Sequence, residues 1–321
     1  MHDRFVQPLI PILVALCALS GCHLPRSELC APLVQVPLCK RDIRSSPTAF
    51  PQLSDNELRT DWGKELKVAR AFGRDFDLYR AVTFYKRALI LMPPSEIERR
   101  REAEYGVILA YYLGDKYSSV IEAFEQSSLG QVQGSDFPAF EDLLLILEDC
   151  YERICEEGRA KQVLELLRSG DPDLAADLET SHALSSHSIE LAAALARPLW
   201  QEDIADFRSS YCQCRLNPCT AQVLQGLLPG AGYWYVGQRQ SGVTSFLVNL
   251  AFTAAAWHFF EQENWGAALF MTSMEFGWYV GGIYGAGLAA ERWNENWYDC
   301  NMRPFLRDRS FTPALMLQFS F

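Results

Sequence analysis

Apolar residues follow three different rhythms along this chain of 321 residues. From about Asp61 to residue 207 they recur every three or four positions, the spacing of amphipathic helices. The run Ala81 to Met92 is the clearest, and the double proline Pro93-Pro94 ends it, because proline lacks the N–H that a helix interior needs. Two further helices carry Tyr105, Ile108, Tyr111 and Tyr112, then Tyr117, Val120, Ile121 and Phe124. A third pair spans Phe137 to Leu167 with Gly158 at its turn, and residues 172–207 hold one or two more helices. From Thr220 onward the rhythm gives way to three apolar segments: Thr220–Tyr235, Val243–Phe260 and Trp265–Ala290. The last residues alternate, with Leu315, Leu317, Phe319 and Phe321 on one side, which is strand periodicity.

The second and third apolar segments are long enough to cross a hydrocarbon core of about 30 Å. Aromatic residues at their ends (Trp257, Phe259, Phe260, Trp265) suit a membrane interface. Gly277, Gly281, Gly285 and Ala289 recur every four residues on one helix face. Small residues let helix backbones approach closely in lipid, so this face is expected to pack on the preceding segment. Asn249 and Glu275 are the polar residues inside these spans. An acid in lipid is costly and should face protein, with Asn249 or His258 as its partner. Topology stays open at this level. If the first segment also spans, Arg239 and the arginines after residue 290 lie on the cytoplasmic side. If it is re-entrant, the acidic loop Glu261–Asn264 takes that side, which a Cys219–Cys300 disulfide would favour.

Charge is unevenly distributed. Residues 22–214 carry 22 Lys+Arg against 32 Asp+Glu, and residues 215–321 carry 6 against 7. The acidic front half repels phosphate backbones, which excludes nucleic acid as a partner class. Residues 22–58 contain Pro25, Pro32, Pro37, Pro47 and Pro51, too many for a helix, and read as a tether that Cys30 and Cys39 can pin. Cys212, Cys214 and Cys219 have no nearby histidine and lack the spacing of a zinc ribbon, so no metal is expected. The spacing of His182 and His187 is also poor for a shared metal on a helix. No Ser/His/Asp or Cys/His arrangement suggests an activated nucleophile, so neither an enzyme nor a cofactor is expected. The run Arg99-Arg100-Arg101 is expected at a solvated corner.

Four stretches resemble known families. Arg4, the short apolar run Phe5–Ala18 and Leu19-Ser20-Gly21-Cys22 resemble a bacterial lipoprotein signal. That resemblance implies lipidation of Cys22 and a cell-envelope location, with disulfides among the remaining cysteines. His23 and the final Phe321 lean toward the outer membrane, and the helical spans toward the inner. Ala81, Tyr85, Ala88 and Pro93, then Tyr111, Tyr117 and Phe124, resemble tetratricopeptide repeats over residues 60–170. The repeat pattern implies a helical solenoid with a concave groove, for which Tyr105, Tyr111, Tyr112, Tyr117 and Phe124 are the candidate lining, although core is the more ordinary fate of such rings. Pro229-Gly230-Ala231-Gly232-x-x-Tyr235-x-Gly237, followed by Gly242, Asn249, Tyr279 and Asn294, resembles a family of small bacterial membrane modules in which a Pro-Gly turn precedes a helical hairpin. The final alternating stretch resembles the last strand of an outer-membrane barrel, suited to adding to the edge of another protein's sheet.

The expected architecture is all-α: a tetratricopeptide-like solenoid, then a membrane-embedded helical hairpin, then a short strand-like tail. The expected boundaries are a signal peptide at 1–21, tether at 22–58, helical domain at 59–210, membrane module at 215–298 and tail at 299–321. The expected function is a non-enzymatic periplasmic scaffold that binds a protein or peptide partner at a membrane. The alternative is a subunit of an envelope transport or assembly machine that uses the hairpin and Glu275.

Overall fold

A computed structural model describes residues 46–321 apart from Gln133. The signal segment, Cys22 and the Cys30–Cys39 loop lie outside the described residues. The described chain is all-α. Helix α1 (Asp55–Arg59) starts on a capping box, in which the Ser54 and Glu57 side chains satisfy each other's backbone N–H groups. Thr60 caps α2 (Asp61–Arg74), and Asp77 caps α3 (Leu78–Leu91). Then come α4 (Ile97–Leu113), α5 (Tyr117–Glu125), α6 (Phe140–Arg153), α7 (Glu157–Gly170), α8 (Pro172–Ser185), α9 (Ile189–Leu195) and α10 (Pro198–Cys214). From α2 to α10 each helix packs on the next in sequence.

One turn joins the members of each pair. Phe76, Asp115, Cys155 and His187 have φ of 60°, 56°, 64° and 62°, between α2 and α3, α4 and α5, α6 and α7, and α8 and α9. The residue after each donates its N–H to the carbonyl five positions back: Asp77 to Phe72, Lys116 to Tyr111, Glu156 to Tyr151 and Ser188 to Ala183, at 2.8–2.9 Å. This is the left-handed helix stop that usually uses glycine. Here non-glycine residues adopt it, each at a conformational cost of about 1–2 kcal/mol. Gly158 is therefore not the turn residue expected. It lies in the first turn of α7, and Cys155 makes the turn instead.

The main core joins Trp62, Leu66, Tyr85, Tyr105, Ile108 and Leu145 across α2 to α6. Buried ion pairs stitch the same region. Arg70 and Arg99 share Glu102, and Arg99 also holds Glu57 at 2.7 Å. The Arg99 guanidinium keeps the Glu57 carboxyl down at about 2. Arg100 donates to the carbonyls of Leu89 and Met92. The run Arg99–Arg101 is thus not a solvated corner: Arg99 and Arg100 tie α4 to the chain before it.

Helices α11 (Pro218–Leu227), α12 (Ala231–Tyr235), α13 (Arg239–Glu261) and α14 (Trp265–Asp308) follow, and α15 (Pro313–Met316) ends the series. The first apolar segment is broken into α11 and α12. At 1.5 Å per residue the ten residues of α11 reach about 15 Å, short of the about 30 Å of a hydrocarbon core. Helix α14 extends about 66 Å by the same rise. Its last third packs on α8, α9 and α10, with Tyr298, Met302 and Leu306 joining Leu184, Ile204 and Phe207 in a second core. Tyr298 donates to the Leu184 carbonyl at 2.9 Å, and His187 Nε2 meets Asp299 at 2.8 Å.

The tail departs from expectation. Among the described residues there is no strand, and Thr48 and Ser320 form one isolated parallel bridge. Pro313 opens the short helix α15, and the backbone after it bonds to this chain's own groups, so the tail edge is not left open for another sheet. Cysteines also differ. Cys150, Cys212, Cys214, Cys219 and Cys300 are free thiols, so no bridge joins Cys219 to Cys300; Cys155 is disulfide-bonded.

His182 of α8 lies against Glu148 of α6, with Nε2 2.8 Å from the carboxylate. Burial works against the imidazolium, but the Glu148 hydrogen bond and charge outweigh it and raise its pKa to about 9. A folded pKa above the unfolded value stabilises fully below about 6.5, and that contribution is lost as pH rises through 9. The melting temperature should therefore fall between pH 7 and 9.5. In His182→Gln that slope should flatten in thermal unfolding followed by circular dichroism; an unchanged slope would refute the assignment.

Candidate functional site

The two helices of the hairpin are apolar outside and polar inside. Val243, Phe246, Leu250 and Trp257 on α13, and Leu269, Phe270, Phe276 and Trp278 on α14, are exposed, Trp257 at 68% and Phe276 at 70%. Facing inward are Ser245 and Asn249, both buried, with Gln225 of α11 buried beneath them. Gln225 donates from Nε2 to Ser245 Oγ at 2.8 Å and accepts the Gly230 N–H at 2.9 Å. Tyr279 donates its hydroxyl to the Gly226 carbonyl. This is the reverse of a soluble hairpin, which hides its apolar stripe and shows its polar one.

Of the two segments expected to span, one has the length and composition for it. Helix α13 is long and apolar enough to cross a membrane, and among the described residues it is alone in this. The first half of α14 falls short because glycines, Thr272, Ser273 and the tryptophan and tyrosine rings dilute its aliphatic content.

Glu275 is half-buried on α14. Its expected partners do not reach it. Asn249 donates from Nδ2 to the Ser245 carbonyl at 2.6 Å, and His258 pairs with Gln262 at 3.0 Å. The side chain that interacts with Glu275 is Thr253 of α13. One oxygen on each of Asn249 and Glu275 is buried without a hydrogen-bond partner.

The footing of the hairpin explains the Pro-Gly motif. Pro229 follows Leu228, whose extended backbone ends α11. Gly230, at φ +95°, opens α12, and a Cβ there would collide with the Gly242 carbonyl oxygen. Gly242 in turn leaves room for the Trp234 ring. Gly232 is buried between α11 and α14, and Gly237, at φ +85°, makes the same left-handed stop as the turns upstream. The Tyr235 hydroxyl accepts the Asn217 N–H at 3.1 Å. The Asn294 carboxamide clamps Leu216 from both sides, accepting its N–H and donating to its carbonyl, both at 2.8 Å. Gly230, Gly232 and Asn294 thus hold the chain around α11 and α12 to the two long helices, while Tyr235 ties α12 to the start of α11.

The glycine ladder divides. Ala289 is buried with Ala221, Val236 and Ala286, and Gly285 lies under the Tyr233 hydroxyl. Gly277 and Gly281 do not pack against α13 as expected. They face open space and line a cleft of ≈ 530 Å³ with Tyr233, Thr244, Ser245 and Trp278. The adjacent Gly282, not Gly281, is the glycine that faces Gln225 and Ser245.

The candidate groove residues also separate. Tyr105 is buried, edge-on to Phe137 with ring centroids 5.6 Å apart, and Tyr112 is buried with its hydroxyl donating to Asp149 at 2.8 Å. Neither lines a groove. Tyr111, Tyr117 and Phe124 are half-buried. Tyr111 receives the Lys86 ammonium at 3.0 Å and borders a cleft of ≈ 420 Å³ with Ile90, Arg100 and Glu122. Among the described residues no three His, Cys, Asp or Glu side chains are placed to hold a metal ion. Gln225 was missed in the sequence, although two amides, Gln222 and Gln225, in an apolar segment were the available signal.

No family model matches the chain, and no curated protein or solved structure matches it.

The two classes of glycine give a direct contrast. Gly230→Ala should destabilise by about 1–3 kcal/mol, because it combines a left-handed backbone with a collision. Gly277→Ala adds a methyl to open space and should leave stability level or raise it by up to about 1 kcal/mol. Thermal unfolding in detergent micelles checks both, and equal effects would contradict this picture of the footing.

Proposed function

We propose that this chain is a non-enzymatic lipoprotein of the bacterial cell envelope. Its α2–α10 helices form a tetratricopeptide-like solenoid that binds a protein or peptide partner, and the α13–α14 hairpin seats it in a membrane. The observation that carries this reading is the inverted hairpin: bare aromatic and aliphatic side chains outside, hydrogen-bonded amides and hydroxyls within. Water-soluble monomers rarely expose contiguous apolar patches beyond a few hundred Å², whereas in lipid that surface is matched and the polar groups must be satisfied inside. The solenoid reading is supported by the repeated left-handed turn and by helix-on-next-helix packing, a stacking in which each pair buries its apolar face against its neighbours. Tyr111 borders a cleft on the array that a partner segment can enter.

Because α14 is continuous, the hairpin sets the height of the array above the lipid. A lipid chain on Cys22 is a second attachment, worth about 0.8 kcal/mol per buried CH₂. The two attachments separate experimentally. In cells fed labelled palmitate, the wild-type chain should carry label and Cys22→Ala should not. After alkaline carbonate extraction the Cys22→Ala chain should still sediment with membranes. Full release of that variant into the supernatant would overturn the hairpin assignment, and label that persists in it would overturn the lipidation site.

A further inference from the structure

Five residues, Leu317–Phe321, lie in a slot of the helical array without any secondary structure of their own beyond a single bridge. The slot reads their backbone. One buried carboxylate, Asp142 of α6, accepts two consecutive N–H groups, Gln318 at 3.0 Å and Phe319 at 2.9 Å. The Pro47 carbonyl accepts the Ser320 N–H at 2.8 Å, the Ser46 carbonyl accepts the Ser320 hydroxyl at 2.8 Å, and Arg74 Nε donates to the Phe321 carbonyl at 3.2 Å.

The slot also selects side chains at alternate positions. Leu317 and Phe321 are buried and Phe319 is half-buried, all within the main core cluster, while Gln318 is exposed; Ser320 breaks the alternation, buried with its hydroxyl on the Ser46 carbonyl. The Phe321 ring stacks on Tyr85 with centroids 6.3 Å apart, and it occupies the space left by the missing side chain of Gly73, where a Cβ would collide with the ring. Main-chain bonds for affinity and pockets for alternate side chains for selectivity are how folded domains hold extended peptides.

Asp142 argues against ordinary core packing. Burial pushes its pKa up to about 6, against the pull of the two amide hydrogen bonds. A buried carboxylate stripped of its donors is costly. The vacated slot would therefore favour any segment that returns two consecutive N–H groups, whatever its side chains at the outward positions.

We propose that this slot is a peptide-binding site whose resident occupant is the chain's own Leu317–Phe321, and that an extended partner segment of the pattern apolar-x-aromatic-serine-aromatic takes the same place when the tail leaves. The proposal rests on the reading of the array as a binding scaffold, and it names one site and one ligand class for it. The tail acts as a tethered competitor: it lowers the affinity for a free peptide by the fraction of time that the slot stands open.

The test uses a fluorescent peptide with the sequence of Met316–Phe321 and the purified chain in detergent. A chain ending at Met316 should bind the peptide at least about tenfold tighter than the wild type does, since the competitor is gone. A peptide with Phe319 and Phe321 replaced by Ser should not bind, and Asp142→Ala in the shortened chain should abolish binding. If the shortened chain keeps its cooperative thermal transition and binds no peptide, the proposal is wrong. Should the shortened chain not fold, Phe321→Ala in the full chain decides: tighter peptide binding than wild type supports the slot, and equal affinity overturns it. Photo-crosslinking from position 111 separates the two readings. Partner capture there without peptide exchange would leave the scaffold reading standing and remove the slot.

Discussion

A single helix, α14, has to satisfy two opposite surroundings. Along its first half the exposed side chains are Leu269, Phe270, Phe276 and Trp278, and its polar residue Glu275 turns inward. Along its last third the pattern reverses: Tyr298, Met302 and Leu306 are buried and the charged residues face out. The backbone bonds of the helix run through the change without a break. Two places in it can bend, the glycine pair Gly281-Gly282 between the two halves and Pro304 within the packed end. The helix stays hydrogen-bonded through both, so the two halves remain joined by one continuous element.

The short helices α11 and α12 make that coupling specific. They wedge between the two long helices, and the Asn294 clamp on Leu216 fixes the point where the chain leaves the array and enters the hairpin. Gln225 reaches from α11 into the hairpin to bond Ser245. The Pro-Gly motif is thus a footing, in which close backbone approach between Gly230 and Gly242 brings α12 and α13 together. The cleft beside Gly277 and Gly281 is lined from α12 by Tyr233 and from α13 by Thr244 and Ser245.

Much of this was legible in the sequence, and the parts that were not share a cause. The helical periodicity of residues 61–207 and the proline stops were local signals, and the helices formed where they pointed. The turns were hidden because Phe76, Asp115, Cys155 and His187 took a conformation normally associated with glycine. The alternation of the last residues was read as a strand, but Leu315 and Met316 are helical, and the residues after them bond to the Asp142 carboxylate on a helix, which no strand pattern advertises. Tyr105 and Tyr112 look the same in sequence as Tyr111, and only packing distinguishes core from surface. The glycine ladder fixed which residues share a face without fixing where two crossing helices part.

The central claim is that the outer face of the hairpin meets lipid while the far end of α14 does not. Quenching by brominated acyl chains in reconstituted vesicles measures this, using variants that keep one tryptophan each. Trp278 on the bare half of α14 should be strongly quenched, and Trp297, packed beside Phe207 and Tyr211 on the same helix, should not be. Equal quenching of the two, or none at Trp278, would contradict the account.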